Sequence, residues 1–327
     1  MVAGISMYSL LFHHKQTKEL HIFMIDNGIT QENKDIFIKM CEKYGRSITF
    51  IPIADIEKIA GRTIDIGRWN ISTFARLFYA SLLPEWVEKV IHIDCDTMIM
   101  DSLEPLWDMD MGDSVVAGAL ECIGDNYKTE VGLKKDDYYI NAGNVMFNLK
   151  EIRKRNLEED FRRFIHDHSI LSFVDQAVLN GSLSNEDKII IPLNYNAYSI
   201  IYYVKYKNLK KAKRVTSYYS EEEVEDAKKH PRIVHFYTCF MDGTRPWMEH
   251  NRHPMVKKYL GYKEQSPWRE TSLWKDNRSA LKKASTVIFN ILPQSFVTWT
   301  IGVIHAIIIP NINKLKARST RRNTWSQ

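Results

Sequence analysis

Residues 89–96 read Lys89-Val90-Ile91-His92-Ile93-Asp94-Cys95-Asp96, an apolar run that ends directly in two carboxylates one residue apart. The run predicts a buried β-strand followed by a loop. In open α/β sheets ligands bind outside the carboxyl ends of the strands, which is where Asp94 and Asp96 would lie. Two hard carboxylates there suit Mn²⁺ or Mg²⁺ bridging phosphate oxygens. The stretch therefore predicts a metal and phosphate site at a strand end.

A second pair of carboxylates with the same spacing occurs at Asp108-Met109-Asp110. The spacing alone is therefore weak evidence, since chance supplies it. We interpret Asp108 and Asp110 as ordinary loop carboxylates. The position of Asp94 and Asp96 at the end of an apolar strand distinguishes them from this pair.

Short apolar runs alternate with helical patterns around this stretch. Strands are predicted at His21–Ile25, Ser47–Ile51, Ser114–Leu120, Lys188–Pro192 and Arg232–Phe236, and helices at Thr30–Tyr44 and Ile71–Leu83. Tyr139–Phe147 is predicted to hold strand residues around a small-residue turn. The alternation of strands and helices predicts an α/β fold with a central sheet flanked by helices.

The composition is that of a globular protein. The chain has 327 residues, of which 44% are hydrophobic and 26% charged, which excludes wholesale disorder. The four cysteines have neither zinc-site nor disulfide-framework spacing, which favours a reducing compartment. A change in composition near Gly261 predicts one domain at residues 1–262, and a separate C-terminal segment at 263–327.

That C-terminal segment is both basic and apolar. Residues 275–327 carry nine Lys or Arg and one acidic residue, whereas residues 284–313 carry no charged residue. Pro293 and Pro310 bracket sixteen apolar-rich residues, about 24 Å as a helix, which is short of the roughly 30 Å of a bilayer core. Basic residues flank this stretch on both sides: Lys282, Lys283, Lys314, Lys316, Arg318, Arg321 and Arg322.

We therefore expect the C-terminal segment to lie on an anionic membrane surface. A helix that packs into the protein core and a helix that spans the membrane are the alternatives. Nucleic acid is not expected as a partner, because the segment contains no recognised nucleic-acid-binding module.

Five ordered segments resemble glycosyltransferase family 8, which includes glycogenin and bacterial lipopolysaccharide galactosyl- and glucosyltransferases. Residues 89–107 resemble the metal-site segment of that family. The other four are Phe74-Ala75-Arg76-Leu77, Tyr139–Asn144, Phe173–Asn180, and His235-Phe236 with Arg245-Pro246-Trp247. The resemblance covers about residues 4–260.

The resemblance implies a GT-A fold with a mixed central sheet. It also implies a UDP-hexose donor, either UDP-glucose or UDP-galactose, a glycan or glycolipid acceptor, and retention of the α configuration. Asp94, Asp96 and His235 would hold the metal. An imidazole beside two carboxylates favours Mn²⁺ over Mg²⁺. The expected role is synthesis of cell-envelope polysaccharide or lipopolysaccharide in the cytoplasm, with peripheral attachment to the inner face of the membrane.

The resemblance also assigns residues to the donor. The expected donor-binding residues are Arg76, Asp94, Cys95, Asp96, Asn141, Ala142, Gly143, Asp175, Gln176 and Arg245. Asp175 and Gln176 are the expected catalytic residues. Because a glutamine amide is a poor nucleophile, we expect the acceptor to attack from the leaving-group side, while Gln176 or Asp175 stabilises positive charge from behind. His166-Asp167-His168, which could suggest a metal site, is interpreted as a solvated helix face.

Two departures from the family pattern stand out. The match begins at about Ala3–Leu10, so the first strand of the family, which cups the nucleoside, is expected to be missing. Either the true start lies upstream, or the chain is a truncated binding protein of the same fold with impaired catalysis. The second departure lies between His235 and Arg245, where the loop is longer than usual and arginine replaces lysine.

Overall fold

The structure, a computed structural model, describes residues 1–53, 59, 71–168, 172–309 and 311–312. Its first four elements are α1 (Val2–His13), β1 (His21–Asp26), α2 (Gln31–Lys43) and β2 (Ser47–Pro52). Thr30 accepts a hydrogen bond from the Asn33 amide and so caps α2. The predicted apolar face of α2 packs against α1 through Ile36, Phe37, Met40 and Tyr44.

The middle of the chain carries the elements around the predicted site. A 3₁₀-helix at Ile71–Phe78 leads into α3 (Tyr79–Leu82), β3 (Lys89–Ile93), β4 (Thr97–Ile99), α4 (Glu104–Trp107), β5 (Val116–Leu120) and α5 (Asp125–Glu130). They are followed by β6 (Ile140–Asn148), α6 (Leu149–Arg155), α7 (Leu157–Asp167), α8 (Val174–Ser182) and β7 (Lys188–Ile190).

The remaining elements lie between Leu193 and Ile308. They are a 3₁₀-helix (Leu193–Asn196), β8 (Ala197–Tyr198), α9 (Ile200–Tyr203), α10 (Tyr206–Lys213), α11 (Glu221–Lys229), β9 (Ile233–His235), α12 (Val256–Gln265), α13 (Ala280–Ile291), α14 (Gln294–Val303) and a π-helical turn (Ile304–Ile308).

The strands form a mixed arrangement. β1 and β2 are parallel; β3-β6-β5-β7 form a four-stranded sheet and β4-β9-β8 a three-stranded sheet. In the larger sheet β6 is antiparallel to both β3 and β5, whereas β5 and β7 are parallel. Within the described residues, β1 pairs only with β2 and β3 only with β6, so each has one unpaired edge. The predicted absence of a first strand stays a prediction.

The core lies on both sides of the strands. On β1, Phe23 and Ile25 face one cluster with the 3₁₀-helix and α8, and Ile22 and Met24 face another with α1 and β9. A third cluster joins β5, α10 and α14 through residues that include Val297 and Ile301. Helix α14 therefore packs against β5 and α10 on one face.

Two sequence predictions were wrong in detail. The single helix predicted at Ile71–Leu83 is a 3₁₀-helix followed by α3, and Phe74, Ala75, Leu77 and Phe78 are all buried because it has core on every side. The turn predicted within Tyr139–Phe147 is absent: β6 runs straight through it, because small residues also fit a strand approached closely by other groups.

The structure describes only part of the C-terminal segment. Among the residues described, no helix combines the length and the apolar character needed to cross a bilayer. The basic residues predicted after the apolar stretch, Lys314, Lys316, Arg318, Arg321 and Arg322, lie outside the described residues.

Candidate active site

The ends of β3, β4 and β9 bring two carboxylates and an imidazole together. Asp94 and Asp96 lie on the loop between β3 and β4, and β4 pairs with β9 so that Thr97 lies opposite His235. His235 Nε2 is 3.2 Å from Asp96 Oδ1 and 3.8 Å from Asp94 Oδ2. One ligand atom from each of the three residues lies within 4.8 Å of the others. The predicted metal ligands therefore converge.

A chain of hydrogen bonds fixes the tautomer of His235. The Gly143 amide donates to Asn141 Oδ1 (2.9 Å), so Asn196 must present its amide nitrogen to the same oxygen (2.9 Å). Asn196 Oδ1 then faces His235 Nδ1 at 3.0 Å, which makes Nδ1 the donor. In the neutral ring the Nε2 lone pair therefore points at the two carboxylates.

This donor set fits a divalent cation. Three electron-rich groups facing one point repel one another unless positive charge lies between them. Burial acts to lower the pKa of His235, but the Asp96 and Asp94 charges outweigh it and raise that pKa. Oxygen and imidazole ligands of this kind suit Mn²⁺, and a cation at this point would satisfy all three groups.

Gly143 leaves the space in which these groups meet. A Cβ atom at this position would lie 2.4 Å from His235 Cε1 and 2.8 Å from Asp94 Oδ2. The Gly143 carbonyl accepts a hydrogen bond from the Asp94 amide at 2.8 Å. β6 therefore passes behind the predicted metal ligands at a distance that only glycine permits.

Arg76 joins Asp94, a predicted metal ligand, to Asp175 on α8. Its Nη2 donates to Asp94 Oδ1 at 2.8 Å, and its Nε lies 3.1 Å from Asp175 Oδ2. Its Nη1 donates to the Ala142 carbonyl. In the structure this buried guanidinium organises two carboxylates and β6, and its predicted contact with the donor stays a prediction.

The first turn of α8 faces β6. Gln176 Oε1 accepts a hydrogen bond from the Ala142 amide at 3.0 Å, in the part of β6 that extends beyond its pairing with β3. Val174 has a φ of +28°, an uncommon conformation for a β-branched residue, directly before Asp175. Burial raises the pKa of Asp175 to about 6, against the opposing Arg76 charge. Gln176 is thus held against Ala142 of β6, and Asp175 against Arg76.

Arg245 closes the other side of the cluster. Its Nη1 donates to Asp96 Oδ2 at 3.1 Å, and its guanidinium lies over the Trp247 ring. Its side chain is 32% exposed, so it can reach an anionic ligand at the mouth of the site. Cys95 is exposed between the two aspartates. The carboxylates of Asp108 and Asp110 do not belong to this cluster, and His166 and Asp167 are exposed on α7.

The sequence matches a known protein family over most of its length. The sequence profile described as Glycosyl transferase family 8 matches residues 1–251. The chain belongs to glycosyltransferase family 8. The resemblance drawn from the five segments is therefore confirmed.

The relatives of this family 8 glycosyltransferase include bacterial proteins. General stress protein A of Bacillus subtilis (strain 168) is 26% identical over 265 residues, covering 80% of this chain and 87% of that protein. A lipopolysaccharide 1,2-glucosyltransferase of Escherichia coli is 25% identical over 277 residues, covering 82% and 75%. The solved structure of the galactosyltransferase LgtC with donor and acceptor sugar analogues matches with a TM-score of 0.67 and 20% identity, covering 87% and 95%. The predicted GT-A fold is confirmed.

Sequence reasoning missed four residues that shape the site of this glycosyltransferase. They are Tyr79, His92, Glu121, which accepts a hydrogen bond from Asn141 Nδ2, and Asn196. Two had a local signal: His92 shares a strand face with Asp94 by the two-residue period, and Glu121 follows β5 as Asp94 follows β3. The other two meet the site through contacts distant in sequence.

His92 holds Asp94, a predicted metal ligand, in place. Its Nε2 donates to Asp94 Oδ1 at 3.0 Å, and Tyr79 Oη lies 2.7 Å from its Nδ1. Burial and the Arg76 charge lower the pKa of His92 to about 4, so the ring is neutral near pH 7 and Nδ1 accepts from Tyr79. With Arg76 and His92 both on Oδ1, Asp94 Oδ2 is directed toward His235.

We expect His92→Leu to weaken Mn²⁺ binding about 10- to 100-fold, because outer-shell groups orient the ligands they bond. Tyr79→Phe should have a smaller effect in the same direction. Titration of Mn²⁺ followed by electron paramagnetic resonance measures this directly. His230→Leu, at the exposed residue directly after α11, is the control. Unchanged Mn²⁺ affinity in both site variants would show that the hydrogen bonds do not position Asp94.

Proposed function

We propose that this family 8 glycosyltransferase transfers glucose or galactose from a UDP-sugar to a glycan or glycolipid acceptor with retention of configuration. The observation that carries the proposal is the convergence of Asp94, Asp96 and His235, with Arg245 at the mouth. The names of the lipopolysaccharide glucosyl- and galactosyltransferase relatives support a role in cell-envelope polysaccharide or lipopolysaccharide synthesis.

Asp94, Asp96 and His235 would hold Mn²⁺, or Mg²⁺ as the alternative. When bound, the ion supplies Lewis-acid stabilisation of the negative charge that develops on the departing diphosphate. Arg245 adds a positive charge on the same side, since its side chain is partly exposed beside Asp96. Together these residues bind and orient the leaving group.

The arrangement of α8 supports a front-face route to the proposed retention. Asp175 is tied to Arg76, and the carbonyl oxygen of Gln176 is committed to the Ala142 amide. Neither group is therefore free to act as a covalent nucleophile of the kind that retaining hydrolases use. In the proposed step the acceptor oxygen bonds to the anomeric carbon as the bond to the diphosphate oxygen breaks, and the acceptor proton passes to the diphosphate. The Asp175 charge stabilises the oxocarbenium-like transition state from behind.

We further propose that the chain works in the cytoplasm, attached peripherally to the inner face of the membrane. The C-terminal helices support this, because α13 and α14 expose large apolar side chains: Leu281, Val287, Ile288, Ile291, Phe296 and Trp299. Contiguous exposed apolar surface of this kind marks protein or membrane contacts. An amphipathic helix that rests at a bilayer surface has this character.

A panel of UDP-sugars tests the transferase proposal. With Mn²⁺ present, we expect slow donor hydrolysis with UDP-glucose or UDP-galactose, much faster than with other UDP-sugars, and an α-configured product by NMR. A chelator should abolish the reaction. Binding of UDP and Mn²⁺ in calorimetry without turnover on any donor would instead favour the alternative, a catalytically impaired binding protein of the same fold.

A further inference from the structure

Helix α10 presents a basic surface on the catalytic domain. Six cations lie within ten residues, with no acidic residue among them: Lys205, Lys207, Lys210, Lys211, Lys213 and Arg214. Among the described residues, none of the six forms an ion pair with a carboxylate. Arg214, exposed at the end of the helix, has a left-handed φ of +50°. Unpaired cations at this density attract an anionic surface.

Helix α14 packs rigidly beside this surface. A Cβ at Gly302 would lie 2.5 Å from the Lys211 carbonyl, so the two backbones are in close approach. Gln294 Oε1 accepts from the Lys205 amide (3.0 Å) and from Asn208 Nδ2 (2.8 Å). Its Nε2 donates to the Tyr203 carbonyl. The basic helix and the apolar helix therefore form one unit.

A groove opens where the two helices meet. It has a volume of about 620 Å³ and is lined by Lys211, Arg214, Ser295, Phe296 and Trp299. Phe296 and Trp299 are 55% and 57% exposed, whereas Val297 and Thr298 on the opposite face of α14 are buried. Two cations thus face two exposed aromatic rings across one groove.

We propose that this groove binds the headgroup phosphate of an anionic membrane lipid. Lys211 and Arg214 would pair with the phosphate, for which a guanidinium fork is well suited. Phe296 and Trp299 would lie at the level of the glycerol and the first methylenes, where aromatic side chains concentrate in membrane proteins. The inference rests on the proposed membrane attachment. It adds that the catalytic domain itself, through α10, supplies half of the lipid site.

The full chain is tested by co-flotation with vesicles of phosphatidylcholine alone and with vesicles containing phosphatidylglycerol or phosphatidic acid at equal surface charge. We expect binding to both anionic vesicles and little to phosphatidylcholine. Lys211→Gln with Arg214→Gln should reduce that binding about tenfold or more. Phe296→Ala with Trp299→Ala should reduce it as well.

A charge-matched control distinguishes binding in the groove from general electrostatic attraction to the vesicle surface. Lys257→Gln with Lys258→Gln removes two exposed cations from α12, which packs against α1 and not against α14. We expect this control to change binding less than about twofold. If the Lys211/Arg214 variant and the Lys257/Lys258 variant lost vesicle binding equally, the proposed groove site would be refuted. Membrane attachment would still be supported. Failure of the unaltered chain to float with any vesicle would overturn both, without bearing on the UDP-sugar assay.

Discussion

Asp96→Ala should reduce sugar transfer by roughly 10³-fold or more and abolish tight Mn²⁺ binding. Loss of this ligand removes several kcal/mol of charge stabilisation from the transition state. Asp96 has two roles in the structure, because Oδ1 faces His235 at 3.2 Å and Oδ2 accepts from Arg245 at 3.1 Å. The variant therefore loses a metal ligand and releases the arginine at the mouth of the site. Initial rates with UDP-hexose and a Mn²⁺ titration measure the two effects.

The chain contains its own control for this experiment. Asp108→Ala removes an exposed carboxylate from a pair with the same spacing, and transfer should be unaffected. Gln176→Ala should retain a slow but measurable rate, because Gln176 contacts β6 and the predicted sugar site and is not a metal ligand. A fully active Asp96→Ala enzyme would refute the metal assignment.

Gly143→Ala should lower Mn²⁺ affinity about 100-fold and reduce transfer at least as much. The added methyl would lie 2.4 Å from His235 Cε1, 2.8 Å from Asp94 Oδ2 and 3.0 Å from Asn141 Oδ1. All three neighbours are held by other hydrogen bonds, so relieving the overlap displaces the ligands or the strand. Overpacking of this kind costs about 1–3 kcal/mol. A factor of ten in affinity corresponds to about 1.4 kcal/mol. A cost in the upper part of this range, if it falls on the metal-bound state, gives the expected loss of Mn²⁺ affinity.

Gly261→Ala is the matched substitution. Gly261 lies in α12 with nothing within 4 Å of an added Cβ. Alanine in a helix interior is favoured over glycine by about 1 kcal/mol, so this variant should be slightly more stable and bind Mn²⁺ normally. Thermal unfolding distinguishes loss of the fold from loss of the site. Wild-type Mn²⁺ affinity in Gly143→Ala would mean that β6 does not lie as closely behind the ligands as the structure shows.

Local pattern predicted much of the framework. Strand β3 was predicted at its observed limits, because five residues of strand character end at a pair of carboxylates. The apolar face of α2 followed from helical spacing and is observed in the core. Both are properties of neighbours in sequence, which periodicity captures. The small residues of β6 were misread as a turn, because their size reflects close packing by His235 and Asp94, which are distant in sequence.

The C-terminal segment shows the same division. Its apolar centre and basic flanks follow from composition, and these predicted a lipid-facing element. The structure adds that Gly302 and Gln294 bind it to α10, so that cations of the catalytic domain lie beside its aromatic face. The boundary at residue 262 stays a prediction, although Val297 and Ile301 pack in the same cluster as β5.

The sequence by itself determined the α/β framework, the family and the position of Asp94 and Asp96 at a strand end. These depend on local periodicity and on the order of the motifs. The tertiary structure alone decided that Asn196 sets the tautomer of His235 and that Arg76 ties Asp94 to Asp175. Such contacts join elements far apart in the chain, and their geometry depends on how the sheets pack, which no local pattern encodes.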